Sequence, residues 1–273
     1  MTSSASWRIP EKIKARIFSC LPFSCSFYVT FVPTHPAFDV ICEDGPVIAV
    51  NKANGVITQG APHGVESLVE LVKQYLKEKY NKPGAVYLGV PHRLDRPVSG
   101  VVVFSRNSKC AARLSEQFAQ RQVQKTYLAI LERPMPQQEA ELEDWIYRIP
   151  DHSMVEISDS TNPAAKQAKL SYHTLAVHKG RSLVEIDLGT GRMHQIRIQF
   201  ASRGCPILGD AQYGARHHFP GFAGADRTVS PIALHSCRLS LQHPIRYDPL
   251  IITAPLPAAW KKLGFELEQI TDA

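Results

Sequence analysis

His92-Arg93-Leu94-Asp95-Arg96-Pro97-Val98-Ser99-Gly100 is the densest run of reactive side chains in this sequence. It falls between two apolar stretches, residues 85–90 and 100–104, and so reads as a polar loop joining two strands. An acidic side chain between two arginines is favoured in its charged form, and a carboxylate can attack an electron-poor carbon. The alternative is a solvated loop in which Asp95 pairs with Arg93 or Arg96, and the segment alone leaves both readings open. A phosphotransfer loop is excluded. Leu94 interrupts His-Arg-Asp, the expected downstream Asn is missing, and the chain has neither Asp-Phe-Gly nor a Gly-rich phosphate loop.

Upstream, residues 47–50 form a short apolar strand ending at Asn51-Lys52, with a turn at Asn54-Gly55. Leu68, Val69, Leu71, Val72, Tyr75 and Leu76 recur at helical spacing and predict an amphipathic helix over 65–80. Downstream, a helix capped at Asn107 or Ser108 runs to about residue 121, and strands are expected at 125–131, 155–157, 169–177 and 182–188. A turn over 189–193 feeds a short helix that stops at Gly204. A Gly/His/Pro-rich loop over 213–231 precedes strands at 232–241 and 251–253. Strands dominate without regular βαβ alternation, which predicts an α+β fold built on a mixed, mostly antiparallel sheet flanked by helices and loops.

The second reactive cluster is Gly189-Thr190-Gly191-Arg192-Met193-His194-Gln195-Ile196-Arg197. A glycine turn entering a helix can aim N–H groups at a phosphate, but the third glycine of a dinucleotide fingerprint is absent. His194 and Arg197, three apart, share a helix face. Arginines at such a turn suit phosphate contact or pairing with a distant carboxylate such as Asp95, and a solvated basic face is the competing reading.

The 273 residues suffice for one large domain or two small ones; 44% are hydrophobic and 21% charged, a globular profile. The balance of 31 Lys+Arg against 25 Asp+Glu, a formal +6, suits a polyanionic partner without requiring one. The six cysteines form no C-x-x-C pair and are expected to be reduced core fillers in a cytoplasmic setting. Residues 1–37 are set apart as an extension. Their apolar stretch is too short and polar to span a bilayer, and a Ser-rich, basic start leaves organellar import open.

Together the two clusters resemble the RluA-type family of pseudouridine synthases, whose signatures are H-R-L-D-R-x-T/S-S-G and G-R-T-H-Q-I-R. Gly204-Cys205-Pro206-Ile207-Leu208-Gly209-Asp210-Ala211-Gln212-Tyr213-Gly214 is similar to that family's G-H-P-I-x-G-D-x-x-Y-G. Asn51-Lys52-Ala53-Asn54-Gly55 is similar to N-K-P-x-G, and Lys125-Thr126-Tyr127-Leu128-Ala129 to K-x-Y-x-A. Leu234-His235 with Leu239, and His243-Pro244, match the downstream motifs, so the resemblance spans roughly residues 45 to 257 in family order. Val98, Met193, Cys205 and Ala53 depart from the pattern without removing a reactive group.

The resemblance implies a pseudouridine synthase fold over 38–273 and isomerisation of specific uridines in ribosomal or transfer RNA. It implies Asp95 as nucleophile, Tyr127 stacking on the uracil and taking the C5 proton, and Arg197 pairing with the aspartate. Arg96 would help to flip the nucleotide, and His92, Arg93, Arg192 and His194 complete the expected RNA contacts. The chemistry agrees: the base must leave its stack, a carboxylate must act at the sugar or ring, and an aromatic face must hold the detached base. Such an isomerisation calls for no metal or other cofactor, and a monomer acting on RNA away from membranes is expected. Two other functions are weighed. One is a silent RNA-binding or ribosome-assembly protein, against which Asp95, Tyr127 and Arg197 speak. The other is a retaining glycosidase, with Asp187 or Asp210 as the second carboxylate.

Overall fold

The computed structural model describes residues 35–220 and 230–265. Most of the 1–37 extension lies outside the described residues. Ten strands make one mixed sheet: β1 (Phe38–Asp44), β2 (Val47–Lys52), β3 (Ser99–Ser105), β4 (Gln124–Leu131), β5 (Glu139–Arg148), β6 (Val155–Ser158), β7 (Lys166–His178), β8 (Arg181–Leu188), β9 (Leu234–Gln242) and β10 (Pro249–Thr253). Their order is β1-β2-β3-β9-β4-β8-β7-β5-β6, with β10 paired to β9. Every strand pair is antiparallel except β3 with β9. The α+β expectation therefore holds.

Period-two alternation sends the central strands' side chains to two cores. Val47, Ala49, Val101 and Val103 face one cluster, Ile48, Val50, Val102 and Phe104 the other. Helix α1 (Leu68–Lys79) covers the second face with Leu68, Leu71, Val72 and Leu76. Its first turn is closed by a capping box: the Glu70 carboxylate accepts from Ser67 N–H at 2.6 Å, and the Ser67 hydroxyl accepts from Glu70 N–H at 3.4 Å. Helix α2 (Ser108–Ala119), capped by Asn107, packs Leu114 into the first cluster. Helix α3 (Gln195–Ala201) packs against the β5–β6 end of the sheet.

The structure departs from the sequence expectations in three places. Residues 85–90 are extended but pair only at Gly89 with Ser105, so they are no sheet strand. Strands β1 and β5 were not foreseen. The helix expected over 65–80 starts at Leu68, because Ser67 takes the cap.

One glycine is fixed by the topology. At Gly100, φ is +117° and a Cβ would lie 2.2 Å from Ser236 O, where β3 and β9 run side by side.

Candidate active site

The 91–99 loop has little secondary structure, so its shape depends on bonds to its neighbours. Thr58 Oγ1 donates to Leu94 O at 2.7 Å and accepts from Leu94 N–H at 3.3 Å. Asn54 Nδ2 donates to Pro97 O at 2.7 Å, and Gly55 N–H to Arg96 O at 2.8 Å. Lys52, wholly buried, points Nζ at three carbonyls: Val56 at 2.9 Å, Ala53 at 3.0 Å and Arg96 at 3.3 Å. Burial pulls its amine down to about 7, against the opposing charge of Asp95. Each such bond contributes about 1 kcal/mol, and together they hold the loop to the β2–α1 connection.

This clamp sets Asp95 in a cavity of about 420 Å³ lined also by Tyr127, Arg192, His194 and Arg197. Among the described residues, Asp95 is the single acidic side chain on that lining, which also carries Arg93, Arg121 and Lys125. Its ion partners are not its sequence neighbours. Arg197 Nη1 lies 3.9 Å and His194 Nε2 3.7 Å from Asp95 Oδ2, both carried in from the α3 segment. The two clusters named from sequence are thus brought together, and Arg93 and Arg96 are not the pairing arginines.

Arg197 is itself anchored. Its Nε donates to Asp210 Oδ2 at 2.7 Å and its Nη2 to Asp210 Oδ1 at 2.8 Å, with Gln212 Oε1 also 2.8 Å from Nη2. Burial alone would lower the guanidinium pKa, but the bonds and charge of Asp210, with Asp95, outweigh it and raise it. The Asp210 backbone carbonyl also accepts from Tyr213 N–H and Ala215 N–H, each at 3.0 Å, and so closes the turn after it. With both carboxylate oxygens engaged by Arg197, Asp210 is not free as a glycosidase acid. Asp187 is exposed and accepts from Thr126 at 2.9 Å. Neither lines the cavity, so the glycosidase reading lacks its second carboxylate.

A relay fixes the state of His194. Val155 N–H donates to the Tyr213 hydroxyl at 3.1 Å, and that hydroxyl sits 2.8 Å from His194 Nδ1. With the phenol donating to Nδ1, the ring proton sits on Nε2, the nitrogen 3.7 Å from Asp95 Oδ2. Burial lowers the His194 pKa, as do Arg197 and Arg93, while Asp95 and Asp210 oppose. His194 is held in the left-handed region, φ 49° and ψ 23°, a strained setting for a side chain of this kind. The turn before it is pinned by Gln195, whose Oε1 accepts from Thr190 Oγ1 at 2.6 Å and Arg192 N–H at 3.0 Å.

The other expected contacts divide. Tyr127 on β4 is buried on the cavity wall, and burial, chiefly, pushes its phenol up. Arg93 is exposed on the same wall. Arg96 is turned away, its Nε donating to Gly55 O at 3.0 Å, and is not on the cavity lining. His92 lines the cavity but is a loop anchor: its Nε2 accepts from Val103 N–H at 3.0 Å and its ring stacks on Phe118 at 4.5 Å. Burial takes it down to about 3, so it is neutral and offers no charge to a phosphate. The sequence expectations leave out Lys52, Lys125 and Tyr213 as site residues, and name Asp210 only as a glycosidase carboxylate and not as the anchor of Arg197. All four lie inside the motifs quoted above, which was the signal available.

The sequence model of the family described as RNA pseudouridylate synthase matches residues 46–202. The ribosomal large subunit pseudouridine synthase D of Xylella fastidiosa is 33% identical over 236 residues, covering 83% of this chain and 68% of that protein. The tRNA pseudouridine synthase C of Haemophilus influenzae is 30% identical over 239 residues, covering 82% and 95%. Among solved structures, human RNA pseudouridylate synthase domain containing 4 superposes with a TM-score of 0.66 at 24% identity, over 85% of this chain and 92% of that one, and shares the fold.

Proposed function

The chain belongs to the RNA pseudouridylate synthase family and is an RNA pseudouridine synthase, and on that premise we propose that it isomerises particular uridines in ribosomal or transfer RNA, with Asp95 attacking a nucleotide flipped into the cavity. The observation that carries this reading is Asp95, the single carboxylate among the described residues of a cation-lined cavity, sharing that cavity with Tyr127.

Each side chain then has a task. Arg197, locked by Asp210, and the Nε2–H of His194 aim Asp95 Oδ2 and balance its charge. Asp95 adds to the ring or the sugar, the N1–C1′ bond breaks, the base turns, C5 joins C1′ as the Asp95 bond is released, and C5 loses its proton while N1 takes one up. Tyr127 offers its ring to the detached uracil. Its phenol enters neutral, so accepting the C5 proton requires that it first give up its own. Arg93, on the cavity wall where Arg96 is not, is the arginine placed to fill the space the flipped base leaves.

The test uses unmodified transfer and ribosomal transcripts whose uridines carry tritium at C5, with Asp95→Ala beside the wild type. Joining C5 to the sugar expels that tritium to water. Release by the wild type and none by the variant is expected. Tight RNA binding without release by either protein overturns the reading in favour of a silent binding protein.

A further inference from the structure

The same cavity holds a second group of charges that Asp95 and its partners do not use. Lys125 stands on β4 two residues before Tyr127, so both side chains leave the same face of the strand, about 7 Å apart along it. Arg121 follows the end of α2 in a left-handed conformation, φ 60°, which few side chains adopt. Arg192 uses Nε on Gln167 O at 3.0 Å, leaving its terminal nitrogens for another acceptor. All three line the cavity. Among the described residues, neither the Lys125 amine nor the Arg121 guanidinium has a hydrogen bond or ion pair. Burial lowers the Lys125 pKa, and the like charges of Arg121 and Arg192 lower it further. The Gly191 turn lies beside the amine, close enough that a Cβ there would touch Lys125 Nζ at 3.7 Å. Three cations held together on a strand, a helix end and a turn, with no anion among them, form a site whose counter-charge must arrive with the substrate.

We propose that Arg121, Lys125 and Arg192 form a phosphate subsite that grips the backbone phosphodiester beside the flipped uridine. This rests on the function proposed above. The two non-bridging oxygens of a phosphodiester match a guanidinium fork and an ammonium together. The spacing of Lys125 from Tyr127 sets the phosphate beside the sugar whose base lies on the tyrosine ring.

The experiment measures binding of unmodified transfer and ribosomal transcripts against salt, alongside tritium release, for the wild type, Lys125→Gln, Lys125→Arg and Arg121→Gln. Lys77→Gln, an exposed position on α1 away from the cavity lining, is the control. Losing one phosphate contact is expected to cut the slope of log affinity against log salt by about 0.7, the single-strand value per phosphate. Lys125→Gln and Arg121→Gln should show that loss, while Lys125→Arg restores the wild-type slope and Lys77→Gln keeps it. An unchanged slope in both glutamine variants, or an equal loss in Lys77→Gln, overturns the subsite even if the wild type releases tritium from RNA. A wild type that releases none, yet whose slope falls in the two cavity variants alone, overturns the proposed reaction and leaves the subsite standing.

Discussion

Two bidentate arginine–aspartate pairs in this protein have matching bond lengths, one through Nε and Nη2 of Arg197 and one through Nη1 and Nη2 of Arg246, and different surroundings. Arg197 meets Asp210 at 2.7 and 2.8 Å with side-chain exposures of 4% and 1%; Arg246 meets Asp44 at 2.7 and 2.8 Å with exposures of 49% and 31%. Bond length does not tell them apart. Around Arg246, water and salt replace either partner at little cost. Around Arg197, nothing else among the described residues could take the charge of a missing aspartate except Asp95, which the proposed reaction needs free. On that proposal the interior pair serves to keep Asp95 aligned rather than as a source of net stability.

The largest break in the comparison is Asp210→Asn. It strands a buried guanidinium, so unfolding in urea should show a loss of about 3–5 kcal/mol, and tritium release should collapse as Arg197 swings fully onto Asp95. Equal stability of variant and wild type would show that solvent reaches the pair. Replacing both partners together, Arg197→Met with Asp210→Leu, should recover most of that stability and none of the activity, separating the fold from the chemistry.

A smaller effect lies in the pH dependence of stability. Burial holds the His92 pKa at about 3 and the His235 pKa at about 4, against 6.5 in the unfolded chain. Between pH 6.5 and about 4 the unfolded state binds more protons, so stability falls as pH drops through that window. His92→Gln should flatten this part of a plot of urea midpoint against pH. Superimposable slopes for variant and wild type would count against a neutral, buried ring. The smallest effect is Arg246→Ala at the exposed pair, where the urea midpoint should stay within replicate scatter at physiological salt. A clear drop there would remove the distinction between the two pairs.

The parts of this molecule legible in its sequence are those whose signal is local. The 92–100 and 189–197 clusters announce themselves by composition, and β3, β4 and β9 by apolar runs. Strand β5 hides because its two buried side chains, Leu142 and Ile146, stand four apart among acidic residues, the spacing of a helix; its pairing with β7 decides otherwise. Residues 85–90 mislead the opposite way. Val86 and Leu88 alternate inward like a strand, while the backbone joins the sheet only at Gly89. The same limit applies within the site. That Asp210 and not Arg93 or Arg96 completes the Asp95–Arg197 network depends on how a turn folds back over α3. A lysine as deeply buried as Lys52 runs against every compositional expectation for its type.

Strand β9 lies between β3 and β4, its first residues beside β3 and its later ones beside β10. In sequence, β3 and β4 are neighbours joined by α2, and more than a hundred residues of chain separate them from the strand that divides them. As the protein is synthesised, β3 and β4 must wait with open edges while the arm of β5 to β8 is made. That long-range closure predicts slow, late assembly of the region beneath the 91–99 loop. Asp95 therefore acquires its final setting only as the last described strands emerge, and a nascent chain lacking β9 holds it without the sheet that positions it.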